Sequence, residues 1–333
     1  MGPADNLTVL FRVSTDPVAG LGHLSRMLAF RRVFREKVHW FVDPGTKKNI
    51  GKYFLGHDNV HEEAAVDCIK QLLSQNSLVE NSLIVCDSYN ICLESLGWTK
   101  TPTVYFTDSD IGLAPKHVIV VNCQPGAKSS KCRLAGPNFY PIDTRGKKQL
   151  AFEYRCASFP ISCLIGFGSA DTRNITSVAI EALLSDANLR KIVQPICLLG
   201  PYFDNIKTVE KFLKNFPKSQ IIRNCRSLLD VPFDCGIAVG APGISHAERL
   251  YGGMATVLVP QNDSHVSLCM DWQQKECALF AGPDPEQITH QINELISGQF
   301  KRAERISRKG QKLIDGKGAS RILNEVISRV KKQ

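Results

Sequence analysis

The sequence predicts an α/β protein made of two halves, each a parallel sheet covered by helices. Three observations carry that expectation. Short apolar strand-like runs alternate with amphipathic helical stretches along most of the chain, a loop-rich stretch at 124–158 interrupts the alternation, and each half carries a glycine-bearing loop between a strand and a helix. At 333 residues the chain exceeds the size at which one core keeps growing, so two domains of roughly 150 residues are expected. The boundary falls in the loop-rich stretch, giving domains 1–145 and 146–333.

The first strand is Val9 to Val13, and it runs through Ala19-Gly20-Leu21-Gly22-His23 into a helix whose Leu24, Met27, Leu28, Phe30, Val33 and Phe34 form one apolar stripe. Gly20 and Gly22 let the backbone turn tightly and approach a ligand, while the first N–H groups of the helix suit an anion. His23 faces the same space with an imidazole that titrates near neutral pH, although a helix-capping role is an equal reading of the motif alone. His39 to Val42 reads as a strand, followed by helical stretches at 46–55 and 63–75. Leu83 to Cys86 is the next strand and ends in Asp87-Ser88-Tyr89. Open α/β sheets place ligands just past the carboxyl ends of their strands, so Asp87 and Tyr89 are candidate site residues, with a helix cap as the alternative for Asp87. Thr103 to Phe106 finishes in Asp108 and Asp110, and Val118 to Val121 finishes in Asn122.

The second half restarts with the strand Ile161 to Phe167, the loop Gly168-Ser169-Ala170-Asp171-Thr172-Arg173-Asn174 and a helix from Ile175 to Ser185. Ser, Asp and Thr are N-cap types, and the N–H groups of this loop make a second anion cradle. Further strands are expected at 193–199, 220–222, 236–239 and 255–259. Between the last two, Gly240-Ala241-Pro242-Gly243-Ile244-Ser245-His246-Ala247-Glu248 is a small-residue loop opening a helix, where Glu248 can accept both hydroxyls of a ribose, with a solvated helix glutamate as the alternative. A polar loop at 261–265 precedes a helix through Trp272-Gln273-Gln274, and 286–332 reads as two helices that cover the second sheet or return to the first domain. Two such halves would enclose a ligand cleft.

Composition narrows the function. Hydrophobic content of 43% and charged content of 22% are those of a globular protein, and a net charge of +9 suits a small anionic ligand, although a solvated surface accounts for it equally. No nucleic-acid module, basic aromatic platform, signal peptide or run of about 18 apolar residues is present, so nucleic-acid binding and membrane insertion are not expected. Twelve cysteines lie mostly in apolar runs without C-x-x-C pairs, which predicts reduced buried thiols and a cytoplasmic protein.

With these loops in place, the chain resembles the UDP-sugar hydrolase family of pseudaminic acid biosynthesis, part of the GT-B-like group that also holds the lipid-linked N-acetylglucosamine transferase of peptidoglycan synthesis. The likeness runs over 8–300. Arg12 with Gly20-Leu21-Gly22-His23-Leu24-Ser25-Arg26 is similar to the family's G-x-G-H-x-x-R, and Leu134-Ala135-Gly136-Pro137-Asn138-Phe139 to its L-x-G-P-x-Y. Gly166 to Asp171 with Asn174, Gly240 to Glu248, and Gln273-Gln274 match its remaining loops, with departures at Ser14, Ser169 and His246.

The resemblance implies two Rossmann-like domains facing across a cleft. It implies hydrolysis of a UDP-activated amino-deoxy sugar, UDP-2,4-diacetamido-2,4,6-trideoxy-β-L-altropyranose in the family, by water attack at the anomeric carbon, with no metal and no cofactor. His23 would be the general base. Arg12, Gly20, Gly22, Asp87, Tyr89, Asn138 and Gln274 would bind the sugar, and Gly168, Ser169, Asp171, Gly243, Ile244, Ser245 and Glu248 the nucleotide. A monomer or weak dimer is expected. The alternatives are a GT-B glycosyltransferase with a nucleotide-sugar donor and a catalytically inactive nucleotide-sugar-binding homologue.

Overall fold

Apolar runs alternating with helices produce two parallel sheets, because each strand buried on both faces must be reached by a helical crossover. The computed structural model describes residues 7–15, 21–36, 38–63, 66–75, 81–88, 91–93, 100–130, 133–145, 149–152, 159–223, 225, 227–231 and 234–330. The chain divides into two compact units, Met1–Asp143 with Gly316–Gln333, and Thr144–Asp315.

The first unit holds β1 (Thr8–Val13), β2 (Val38–Phe41), β3 (Asn59–His61), β4 (Ser82–Asp87), β5 (Thr103–Phe106), β6 (Val118–Asn122) and β7 (Arg133–Ala135). They pair in the order β3-β2-β1-β4-β5-β6-β7, every pair parallel. Between these strands the described residues form the α-helices α1 (Gly22–Arg31), α2 (Lys47–Ile50) and α3 (Val66–Gln75). All six residues of β4 are buried, as are the last five of β1, which explains why Val9–Phe11 and Leu83–Cys86 are legible as apolar runs. Under α1 lies an aromatic core in which Phe11 stacks on Trp40 at 4.4 Å and Phe30 meets Phe106 edge-on at 5.7 Å.

The second unit holds β8 (Ile161–Gly166), β9 (Val193–Leu199), β10 (Gln220–Arg223), β11 (Ile237–Gly240), β12 (Ala255–Leu258) and β13 (Leu279–Phe280). Their order is β10-β9-β8-β11-β12-β13, again all parallel. The accompanying helices are α4 (Ile175–Ser185), α5 (Leu189–Ile192), α6 (Ile206–Leu213), α7 (Ile244–Tyr251), α8 (Ser264–Gln274), α9 (Pro285–Ile296) and α10 (Lys301–Leu313). Its core interleaves Ile165, Cys197, Val239 and Val257 from the strands with Ile180, Leu183, Ile288 and Ile292 from the helices. Burial pushes the Cys86 and Cys197 thiols up to about 12, so these cysteines are packing residues rather than nucleophiles.

The last helix, α11 (Gly318–Val330), belongs to the first unit. Arg321 Nη1 donates to the Asn138 carbonyl at 3.0 Å, and Gly318 lies so close to Tyr140 that a Cβ there would sit 2.1 Å from its carbonyl oxygen. The expectation of two helices over 286–332 is corrected to three. Gly298, Gln299 and Phe300 break the first junction and Gly316 the second, all with positive φ that no α-helix carries. The edge strands β3, β7 and β13 were not expected, and the helix expected over 46–55 is one turn of α-helix running into one 3₁₀ turn.

Candidate active site

In each sheet the strand order reverses once, between β1 and β4 in the first and between β8 and β11 in the second. Beyond the carboxyl ends of two strands whose crossovers run in opposite directions, the loops part and leave room for a ligand. His23 and Asp87 of the first unit, and Gly168, Ser169, Gly243, Ile244 and Ser245 of the second, lie on the strand ends and loops at these two places.

In the first unit, α1 starts at Gly22, directly after the loop from β1, which puts His23 in its first turn with 6% exposure. Asp87 is the last residue of β4, paired in register with Val13 of β1. His23 Nδ1 lies 2.6 Å from Asp87 Oδ1. Arg26, one turn further along α1, grips the same carboxylate, with Nη2 to Oδ1 at 2.7 Å and Nε to Oδ2 at 2.8 Å. Burial alone would raise the Asp87 carboxyl, but the charges of Arg26 and His23 and their hydrogen bonds reverse this and hold it at about 2. An ionised Asp87 can only accept, so Nδ1 of His23 carries the proton and Nε2 is the basic nitrogen. Burial would lower the Arg26 guanidinium, and Asp108 and Asp87 outweigh it and keep it cationic. Asp108 accepts from Arg26 Nη1 at 2.9 Å and from Gln124 Nε2 at 3.0 Å.

The other sugar-side candidates separate. Arg12 is fully buried, donates from Nη2 to Asp43 Oδ1 at 2.6 Å, and so braces the loop after β2, whose Asp43 also takes the Thr15 N–H. Both oxygens of Asp87 are occupied by His23 and Arg26, which gives it the task of holding the imidazole. Asn138 lies in the 3₁₀ turn that follows the edge strand β7, and its carbonyl accepts from Arg321 Nη1 of the last helix. Gln274 closes α8 and is exposed; Trp272, two positions earlier and therefore on the other side of the helix, donates from Nε1 to the Pro242 carbonyl at 3.2 Å. Gly20 and Tyr89 lie outside the described residues.

In the second unit the loop after β8 opens with Gly168 at φ +86° and is clamped from the side by Gly200, where a Cβ would come within 2.3 Å of the Gly168 and Ser169 carbonyl oxygens. Asp171 takes the start of α4 for itself: Oδ1 accepts from Ile175 N at 2.9 Å and Oδ2 from Thr176 N at 2.7 Å. That helix terminus is therefore filled by a side chain of the protein. The start of α7 differs. Gly243 is its N-cap in extended geometry, no side chain caps it, and no acid lies in its first turn, which leaves the N–H groups of Ile244 and Ser245 for an anion. Glu248, half-buried on the same helix, accepts from Ser227 Oγ at 2.8 Å. Burial raises its carboxyl against that hydrogen bond.

No family model matches the chain. The uncharacterized protein MJ1062 of Methanocaldococcus jannaschii is 28% identical over 154 residues, 43% of this chain and 31% of that protein's own length. Solved structures align over nearly the whole chain. MurG of Acinetobacter baumannii superposes with a TM-score of 0.68 at 11% identity, covering 97% of this chain and 100% of its own. The glycotransferase of kitacinnamycin gives 0.67 at 14%, covering 98% and 100%. The glycosyltransferase VinC, in complex with dTDP, gives 0.62 at 11%, with the same coverage.

The fold is that of the GT-B glycosyltransferases.

Within this chain of GT-B fold, Arg26, Asp108 and Gln124 join the His23–Asp87 pair, although the sequence assigns none of the three a role. The signal for Arg26 was its place three residues after His23, which puts both on one face of α1. Asp108 was noted only as a strand-end acid. Gln261, after β12, donates from Nε2 to the Phe167 carbonyl at 2.9 Å and so ties the loop after β12 to the one after β8. Among the described residues no cluster of His, Cys, Asp or Glu is placed to hold a metal ion, and no helix is long and apolar enough to cross a membrane.

Proposed function

We propose that the chain is a glycosyltransferase that breaks the bond between a sugar and a nucleoside diphosphate and passes the sugar to a hydroxyl acceptor, with His23 as general base. The observation that carries this reading is the buried His23–Asp87 pair at 2.6 Å, braced by Arg26. Nε2 of His23 takes the proton of the attacking hydroxyl as its oxygen bonds to the anomeric carbon. The bond from that carbon to the diphosphate oxygen breaks at the same time, and its electron pair leaves with the nucleotide. Asp87 stabilises the imidazolium that forms, in the manner of the acid in a serine-protease triad. The leaving diphosphate is held by the N–H groups of Ile244 and Ser245, with those of Gly168 and Ser169 beside them, and by the dipole of α7. Glu248 accepts from the ribose hydroxyls. One displacement inverts the anomeric configuration.

The named activities of the structural neighbours support transfer, and the nucleotides in the VinC structure and in Phytolacca americana UGT2, which holds UDP-2fluoro-glucose, support the donor class. A second reading replaces the acceptor by water. It is favoured by the motifs around His23 and Asp87-Ser88-Tyr89, which resemble those of the UDP-sugar hydrolases, and it uses the same base and leaving group.

The test is to incubate the protein with UDP-, GDP-, CMP- and TDP-sugars, with and without hydroxyl acceptors, and to follow free nucleotide and the first anomer formed by NMR. Release that depends on an acceptor marks transfer, and release in buffer alone marks hydrolysis. His23→Ala abolishes both while leaving UDP affinity intact. Unchanged turnover in that variant, or no release from any donor, refutes the reading.

A further inference from the structure

One charged side chain of the second unit has no assigned task and no adequate partners. Arg249 lies on α7 next to Glu248 and has 0% exposure. Its Nη2 donates to the Ala241 carbonyl, but Nε and Nη1 are buried without any hydrogen-bond partner. The guanidinium lies directly beneath the turn that leads from β11 into α7. A Cβ built on Gly240 would sit 2.5 Å from Arg249 Nη1 and 2.5 Å from the Gly166 carbonyl oxygen, so the glycine leaves the space that the guanidinium fills. Burial lowers the Arg249 guanidinium to about 10, against the pull of Glu248, and it remains a cation at neutral pH. His246, one turn back on the same helix, is fully buried edge-on to Trp272 at 4.7 Å, and both of its nitrogens lack partners. Burial and the neighbouring Arg249 hold it neutral.

A buried cation with two unsatisfied donor nitrogens is a standing cost to the unliganded fold. It is tolerated where a function needs the charge. Here it sits against the Gly240–Ala241 turn that leads into α7, a helix start with no side-chain cap and no acid in its first turn, of the kind that suits an anion.

We infer that Arg249 is the buried counter-charge for the phosphates at the start of α7, a positioning residue that makes the Gly240–Ser245 turn electropositive without touching the ligand. This rests on the nucleotide site proposed above and deepens it. A fixed cation in a water-poor interior acts on a diphosphate with little screening, and even at an effective dielectric constant of about 20 and a separation of about 8 Å its attraction to one negative charge exceeds a tenfold effect on binding. The turn's backbone alone is shared by neutral and charged ligands; the guanidinium discriminates in favour of the anion.

The inference separates from a structural role by its signs. Arg249→Met keeps the apolar stem and removes the charge with its unsatisfied donors, so the unliganded variant melts at the same temperature as the parent or higher. Its affinity for UDP in calorimetry falls at least about tenfold, while its affinity for uridine, which has no phosphate, stays within twofold by NMR titration. Arg249→Lys, which retains the charge, recovers UDP binding to within about threefold of the parent. A lower melting temperature of unliganded Arg249→Met marks an ordinary structural bond and overturns the inference. So does UDP binding by that variant within twofold of the parent, or an equal loss for uridine. If the parent protein itself binds no nucleoside diphosphate, the nucleotide site falls, and the inference with it.

Discussion

Replacing Asp87 by asparagine preserves shape and removes the charge that both His23 and Arg26 depend on. The carboxyl is held at about 2 against its ordinary value of 3.8. At 1.36 kcal/mol per unit, that difference makes the ionised carboxylate stabilising by about 2 kcal/mol at neutral pH. Asparagine loses this and leaves part of the Arg26 guanidinium facing a neutral amide, although Asp108 still holds Nη1 at 2.9 Å. A lower melting temperature by about 5 °C is expected for a unit of this size. Catalysis suffers more. An amide can present its NH₂ to Nδ1 and stabilise the opposite tautomer, with Nε2 protonated and unable to act as base, so kcat falls by about 10²- to 10⁴-fold. UDP affinity is expected to stay as it is, because the proposed nucleotide site lies in the second unit. The sign of the pH effect follows from the depressed value. The stabilisation is complete above the unfolded carboxylate range near 4 and is lost as pH falls through about 2, so parent and variant converge in stability in acid. The assay is nucleotide release at saturating donor, together with thermal melts at pH 7 and pH 3. Turnover within threefold of the parent, or a melting difference that does not shrink between those pH values, refutes the assignment of Asp87 as the residue that holds the base.

Two further substitutions test the second unit. Asp171→Ala leaves the N–H groups of Ile175 and Thr176 without their acceptor and lowers stability by about 1–2 kcal/mol, read as a shift of the urea midpoint. The emptied helix start would also admit an added anion, so phosphate should restore part of the lost melting temperature in this variant and not in the parent. Gly240→Ala places a methyl group 2.5 Å from Arg249 Nη1 and the Gly166 carbonyl oxygen and lowers stability by about 1–3 kcal/mol, since the backbone atom cannot move aside. Combining Gly240→Ala with Arg249→Met relieves the side-chain half of that clash, and a double variant no more stable than Gly240→Ala alone would place the strain at Gly166 only.

The sequence by itself determined the architecture and the loops. Strands β1, β4, β8 and β11 are the inner strands on either side of each reversal, largely buried on both faces, and are therefore written mainly in apolar residues, the buried Arg12 and Asp87 being charge-paired exceptions. The loops after β1, β8 and β11 carry glycines, which permit tight turns, and the first of them leads into His23, the proposed base. The edge strands β3, β7 and β13 span three, three and two residues, and their half-buried positions demand no apolar pattern, so nothing in the sequence announced them.

What only the tertiary structure decided is which charged groups meet. His23 and Asp87 are 64 positions apart and Arg26 and Asp108 are 82 apart, and local pattern holds no information about pairing over such spans. Likewise the composition of the 168–174 loop offered Ser, Asp and Thr equally as caps, and only the folded backbone brings the Asp171 carboxylate onto two N–H groups and removes α4 from the list of anion sites. Arg249 follows the same rule. In sequence it is a helix arginine beside a glutamate, the commonest kind of solvated residue, and it becomes a buried charge because the turn at Gly240 closes over it. Periodicity and turn chemistry are local and can be read along the chain, whereas desolvation and charge pairing belong to residues that the fold alone makes neighbours.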